Sequence, residues 1–324
     1  MNASSLQSYL TPFKCVQQIK RERFRKIPIK RFDVFGCVYD NNYFLKPESL
    51  RMLGGKWRHK DPASLHDHEA INTVELDGFH RYLGHAFPTY GHFILETLPM
   101  LSYLIEDHDA TGVFLAWGAS FCRSLLDTIV ALLELNKSSI LIHSTPHILK
   151  TQLAVQPRPL RLAPCSPSPR YELINDWTYR TVIDKLIRSA QASPGEQATE
   201  PQSRLFLMRS AKRLPGNHFQ DSLKIELEAH GFRCLYPETL SFPDQVRSLS
   251  TASVVAGFAG SQLHNSIFCP RESIIIEIGD QRTPDYPLIF QGLCGDIAKN
   301  TYHHINYTEN PGKIASDISD LLAR

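Results

Sequence analysis

The chain has 324 residues, more than a single hydrophobic core usually organises, and its 42% apolar and 21% charged residues describe a globular protein, not a disulfide scaffold or a disordered tract. Thirty-five Lys and Arg against 33 Asp and Glu leave a formal charge of +2, which gives no global electrostatic argument for a nucleic-acid binder. The seven scattered cysteines, an odd number with no C-x-x-C pair, point to reduced thiols. No window approaches the ~18 apolar residues of a membrane span, and the N-terminal stretch lacks the apolar run of a signal peptide. The expected location is cytoplasmic, at most peripheral on a membrane.

Residues 20–31, KRERFRKIPIKR, carry seven basic side chains against one glutamate. They read either as a solvated edge or as an arm that touches an anionic membrane or acceptor. Short β-like runs follow at 32–40 and 71–79, and GHFILETLPMLSYLIED (91–107) is apolar around most of its circumference, which predicts a buried helix. A strand at 113–117, a helix at 121–135 and a strand at 139–143 continue an α/β alternation. Five prolines between 157 and 169 interrupt it, and a domain boundary is placed there.

Beyond a helix at about 173–191, the alternation resumes with strands at 204–209, 232–236, 252–258 and 273–279. Helices are expected at 217–231, stopped by Gly231, at 241–252, capped by Ser241, and at 261–268. This describes a parallel, doubly wound half. The expected organisation is thus two α/β halves, 1–165 and 166–310, facing across a cleft, with a final helix in 311–324 crossing back onto the first.

Four features could carry chemistry. In VVAGFAGSQLHNSIF (254–268) an apolar strand runs through small residues straight into a helix, so that Gly260 and Ser261 offer backbone N–H groups and a helix dipole to an anion such as a diphosphate. Neither dinucleotide nor P-loop fingerprints are present. Arg209 ends a strand and, with Lys212 and Arg213, could neutralise phosphates without a metal. Glu277 ends another strand, where a carboxylate can hold ribose hydroxyls or serve structure. His92 and Glu96 lie at i and i+4 on one helix face, as a general base with its orienting acid or as a buried pair that satisfies itself. His59, His66, His68, His80 and His85 show no zinc spacing, so no metal is expected, and Asp107-His108-Asp109 falls at a helix end where acids are common.

Two segments in this order, YGHFILETLP (90–99) and PETLSFPDQVRSLSTASVVAGFAGSQLHNSIFCPRESIIIEI (237–278), with the arginine-bearing strand LFLMR between them, resemble glycosyltransferase family 61. That group includes plant xylan-decorating transferases, animal protein O-linked N-acetylglucosaminyltransferases and bacterial capsule or lipopolysaccharide enzymes. Its first motif falls on His92, Glu96, Leu98 and Pro99, and its second on Gly260, Ser261, Leu263, Asn265 and Phe268, with the terminal acid on Glu277. Met100 and Ala259 depart from its usual Arg and His.

The resemblance implies a GT-B architecture of two Rossmann-like domains, the first facing the acceptor and the second binding a nucleotide-sugar, most often a UDP-sugar. It implies inverting, metal-independent transfer to a hydroxyl of a growing glycan such as capsular polysaccharide or lipopolysaccharide. In this reading His92 is the base, oriented by Glu96. Arg209, Arg213, Gly260, Ser261, Asn265 and Glu277 bind the donor nucleotide and its diphosphate, and no cofactor is needed. The competing expectations are a degenerate glycan- or membrane-binding protein that uses residues 20–31, and a nucleotide-dependent enzyme of other chemistry, such as an epimerase.

Overall fold

A computed structural model describes residues 26–32, 38–40, 52–53, 56–57, 73–87, 89–116, 120–143, 148–155, 160–163, 170–173, 176–194, 203–209, 217–280 and 289–323. The strands before the proline-rich segment are β1 (Lys26–Phe32), β2 (Val38–Asp40), β3 (Met52–Leu53), β4 (Lys56–Trp57), β5 (Thr73–Ala86), β6 (Thr111–Ala116), β7 (Ile140–His143) and β8 (Ile148–Val155). Six of them form one mixed sheet in the order β2-β1-β8-β5-β6-β7, parallel from β8 to β7 and antiparallel at β1 and β2. Residues 26–31, expected in a basic arm, therefore belong to a strand that is hydrogen-bonded on both sides. Alternation of Ile27 and Ile29 with their neighbours suits a pleated strand and overrides the charge pattern. Residues 20–25 lie outside the described residues.

The proline-rich segment contributes β9 (Leu160–Ala163), which pairs with β10 (Arg170–Leu173) in a two-stranded antiparallel ribbon. In the sequence Pro159 precedes Leu160 and Pro164 follows Ala163, so no proline falls within β9. The second large sheet is built from β11 (Ser203–Leu207), β12 (Phe232–Leu235), β13 (Ala252–Phe258), β14 (Ile274–Ile278) and β15 (Thr301–Ile305). It is fully parallel in the order β12-β11-β13-β14-β15. That is a doubly wound order, with its reversal between β11 and β13. The chain is a mixed α/β protein with parallel sheets.

The segment expected to be one helix over 91–107 is α1, which winds in four pieces: α-helical Tyr90–His92, a π turn Phe93–Thr97, a 3-10 turn Leu98–Leu101 and α-helical Ser102–Ile105. Pro99 is the physical reason. It has no N–H to give the carbonyl four residues earlier, and the Leu95 oxygen accepts instead from the buried hydroxyl of Tyr179.

The remaining helices are α2 (Ser120–Leu132), α3 (Asp176–Ala192), α4 (Asn217–Ala229), α5 (Phe242–Leu249), a 3-10 helix at Ser261–Phe268, α6 (Ile289–Ala298) and α7 (Pro311–Leu322). Gly231 follows α4 with φ of 78°, the left-handed stop that its position predicts. Ser241 caps α5 by accepting from the Asp244 N–H at 3.3 Å. Arg247 of α5 donates to the Ala190 and Ser193 carbonyls, closing the end of α3.

One continuous apolar core takes Leu83, Phe93, Leu95 and Leu101 from the first half together with Leu207, Val255, Leu263 and Ile275 from the second. A smaller core on the other face of the parallel sheet joins Phe206, Leu223 and Phe258 to Ile314, Ala315 and Ile318 of α7. The final helix thus packs on its own half beside α4 and does not cross back, because its apolar stripe is consumed by that sheet face. No helix among the described residues is long and apolar enough to cross a membrane.

Candidate active site

Three strand ends converge. β5 leads through Phe87 and Thr89 into α1; β11 ends at Leu207 and is followed by Met208 and Arg209; β13 ends at Phe258 and turns through Ala259 and Gly260 into the 3-10 helix. Ligands of doubly wound sheets bind outside the carboxyl ends of the strands at the reversal of order, here the ends of β11 and β13.

At that edge Gly260 has φ of 155° and ψ of 175°, a backbone conformation that suits glycine alone. A Cβ there would lie 1.5 Å from the Arg209 Nη2, so the missing side chain is also the seat of the guanidinium. Arg209 is buried and spans the turn. It donates to the Ala259 carbonyl and, at 3.2 Å, to the Gln262 side chain, and it pairs with Asp280 at 3.4 Å. Gly260, the N-cap residue of the 3-10 helix, has no side chain of its own to cap it, and this helix start lies beside Arg209.

α1 approaches the same edge from the first half. A Cβ on Gly91 would fall 2.7 Å from His264 Nδ1 and 2.9 Å from Ser261 Oγ, so the backbone of the first motif lies directly on the second. The Tyr90 hydroxyl donates to Asn265 Oδ1 at 2.6 Å, and Asn265 donates in turn to Gln245 Oε1 at 2.9 Å. Burial holds the Tyr90 phenol well above its usual range, so it stays a neutral donor.

The next residue, His92, meets Glu96 Oε1 through Nδ1 at 2.6 Å; in the tautomer that donates from Nδ1 to the carboxylate, a neutral imidazole carries its lone pair on Nε2. The side chain of His92 is 30% exposed and that of Glu96 11%, so the imidazole reaches solvent and the acid stands behind it. Phe87 and Phe290 flank the His92 ring at 5.5 and 5.2 Å between centroids.

The profile of the glycosyltransferase 61 family matches residues 90–276, more than half of the chain. The chain belongs to the glycosyltransferase 61 family. It is therefore a glycosyltransferase, and the general substrates of such an enzyme are a nucleotide-sugar donor and a glycan acceptor. No curated protein matches the chain.

Seen in this family member, the site residues named from sequence fall into three groups. His92, Glu96, Gly260, Ser261 and Arg209 are gathered at the converging strand ends. Asn265 and Glu277 are buried beneath them with hydrogen bonds to protein: Asn265 to Tyr90 and Gln245, Glu277 from the Tyr302 hydroxyl. Arg213 lies outside the described residues, as do Lys212, His59, His66 and His68. Among the described residues no cluster of three His, Cys, Asp or Glu side chains could hold a metal ion. Asp107 is occupied by an ion pair with Arg81.

Tyr90, Gln245, His264 and Phe290 escape the sequence reading. Tyr90 and His264 sit inside the two motifs beside named residues, which was the available signal. Gln245 and Phe290 gave none, since only the fold brings α5 and α6 to this edge.

Proposed function

We propose that this glycosyltransferase moves a sugar, with inversion and without a metal, from a UDP-sugar to a hydroxyl of a growing glycan. The single observation that carries this reading is the contact of Gly91 with Ser261 and His264, which sets the His92–Glu96 pair beside the anion-favouring turn after β13. The acceptor hydroxyl gives its proton to His92 Nε2 while its oxygen attacks the anomeric carbon. The bond from that carbon to the diphosphate breaks on the opposite face, and the leaving oxygen keeps the electron pair. Glu96 holds the imidazole in the required tautomer and steadies the imidazolium that forms.

Arg209, Arg213 and the Gly260–Ser261 helix start would take the growing charge of the diphosphate, the role a metal plays elsewhere. Asn265 and Glu277 serve the donor side from beneath, by bracing the turn and β14. The proposal includes two Rossmann-like domains in a GT-B arrangement, 1–165 toward the acceptor and 166–310 toward the nucleotide. It also includes work at the cytosolic face of a membrane on a capsular or lipopolysaccharide acceptor.

The test is thermal stabilisation of the purified protein by a panel of nucleoside diphosphates and nucleotide-sugars, with and without EDTA, since a ligand bound only by the native state raises the melting temperature. The expected result is a shift with UDP and UDP-sugars that survives EDTA. It is followed by turnover of the best donor in the parent and in His92→Ala, which should lose most of its rate. Stabilisation that disappears with EDTA would remove the metal-free mechanism, and near-normal turnover in His92→Ala would remove the base.

A further inference from the structure

His264 is 5% exposed, and both its ring nitrogens are buried without a hydrogen-bond partner among the described residues. A buried polar atom left unpaired is costly, and native structures keep one where a ligand, an ordered water or a function uses it. The position of this ring narrows the choice. Its Nδ1 faces the bare Cα of Gly91, beside Ser261 Oγ. Its face meets Phe290 at 5.9 Å, the same phenyl ring that packs at 5.2 Å on His92. Two histidines, one from each motif, therefore share one half-buried aromatic wall, and the second has unused hydrogen-bonding capacity.

The chemistry of the ring selects the ligand. Burial and the nearby His92 keep His264 uncharged at any working pH, so it offers one donor and one acceptor. Fully ionised phosphate oxygens only accept and would leave its basic nitrogen unpaired. A hydroxyl both donates and accepts, and a sugar brings several of them to the anomeric carbon that His92 must face.

We propose that His264 is a binding residue for the transferred sugar, reached when the ligand displaces Phe290 and holding a sugar hydroxyl through its ring nitrogens. This rests on the sugar-transfer reading given above. It assigns sugar recognition to a residue of the 3-10 helix whose first residues are assigned the diphosphate.

The experiment compares UDP with UDP-glucose, UDP-N-acetylglucosamine and UDP-xylose by calorimetry on the full chain, in the parent and in His264→Phe. The phenyl ring is planar like imidazole, with one ring atom more, and it removes both hydrogen-bonding atoms. Expected is unchanged binding of UDP, with the parent's preference for its best UDP-sugar over UDP reduced about tenfold.

A second readout does not depend on the Phe variant folding. The imidazole 15N signal that vanishes in His264→Gln should, in the parent, move with the UDP-sugar and not with UDP. The inference is overturned if His264→Phe keeps the full preference, or if that signal responds alike to UDP and UDP-sugar. If the parent prefers no UDP-sugar over UDP, the transfer reading falls first and the inference with it.

Discussion

Gly91→Ala tests whether the two motifs must touch. The added Cβ would lie 2.7 Å from His264 Nδ1, 2.9 Å from His264 Cε1 and 2.9 Å from Ser261 Oγ, three contacts closer than packed atoms tolerate. The Ser261 hydroxyl can turn away about its Cα–Cβ bond, but the imidazole is buried and has no such freedom. α1 and the 3-10 helix must therefore move apart by several tenths of an ångström, and overpacking of this kind costs about 1–3 kcal/mol. At roughly 2–4 °C per kcal/mol, the melting temperature should fall by about 2–12 °C.

The larger effect should be on turnover, because His92 is the next residue and a displacement near 1 Å can cost about a hundredfold in rate. Gly312→Ala is the control. Its Cβ would sit 3.6 Å from Asn310 Oδ1, an ordinary contact, and alanine inside α7 should be neutral or stabilising by about 0.5–1 kcal/mol. Differential scanning fluorimetry and steady-state transfer with the best donor measure both quantities. Gly91→Ala with the parent's melting temperature and full turnover would refute the claim that this contact aligns the site.

Two further outcomes follow from buried groups. Tyr179→Phe removes the hydroxyl that serves the Leu95 carbonyl, left without its helical donor by Pro99, and should lower unfolding free energy by about 1–3 kcal/mol in chemical denaturation. An unchanged midpoint would mean that the carbonyl finds another donor. His264 is held down to about 3 by burial and by His92. Its folded form therefore binds fewer protons than the unfolded chain between that value and about 6.5, so its contribution is fully present above that range and is lost as pH falls through it. The stability of the parent relative to His264→Phe should decline below pH ~6.5 by up to about 1.4 kcal/mol per pH unit. Parallel curves between pH 7 and 5 would show that the ring protonates in place.

What the sequence alone determined is mostly local. Regular spacing of apolar runs between residues 204 and 278 placed β11 to β14 and α4 within a few residues, since neighbours along the chain set period, cap and stop. Ser241 and Gly231 could be read for the same reason. The two motifs named the residues that now stand at the converging strand ends, and they named the family.

Tertiary structure decided the rest. Residues 26–31 read as a charged arm because a strand's status depends on β8, more than 100 residues away, offering it a ladder. α7 found its place only through α4 and the sheet face it covers. The site itself is made by contacts that no local pattern encodes. Tyr90 reaches Asn265 across 175 positions, and Gly91 is a glycine because His264 occupies the space its side chain would need. Short-range sterics and hydrogen bonding write themselves into sequence periodicity. Packing between distant segments leaves only a small residue or an unpaired polar one, whose meaning appears when its neighbour is known.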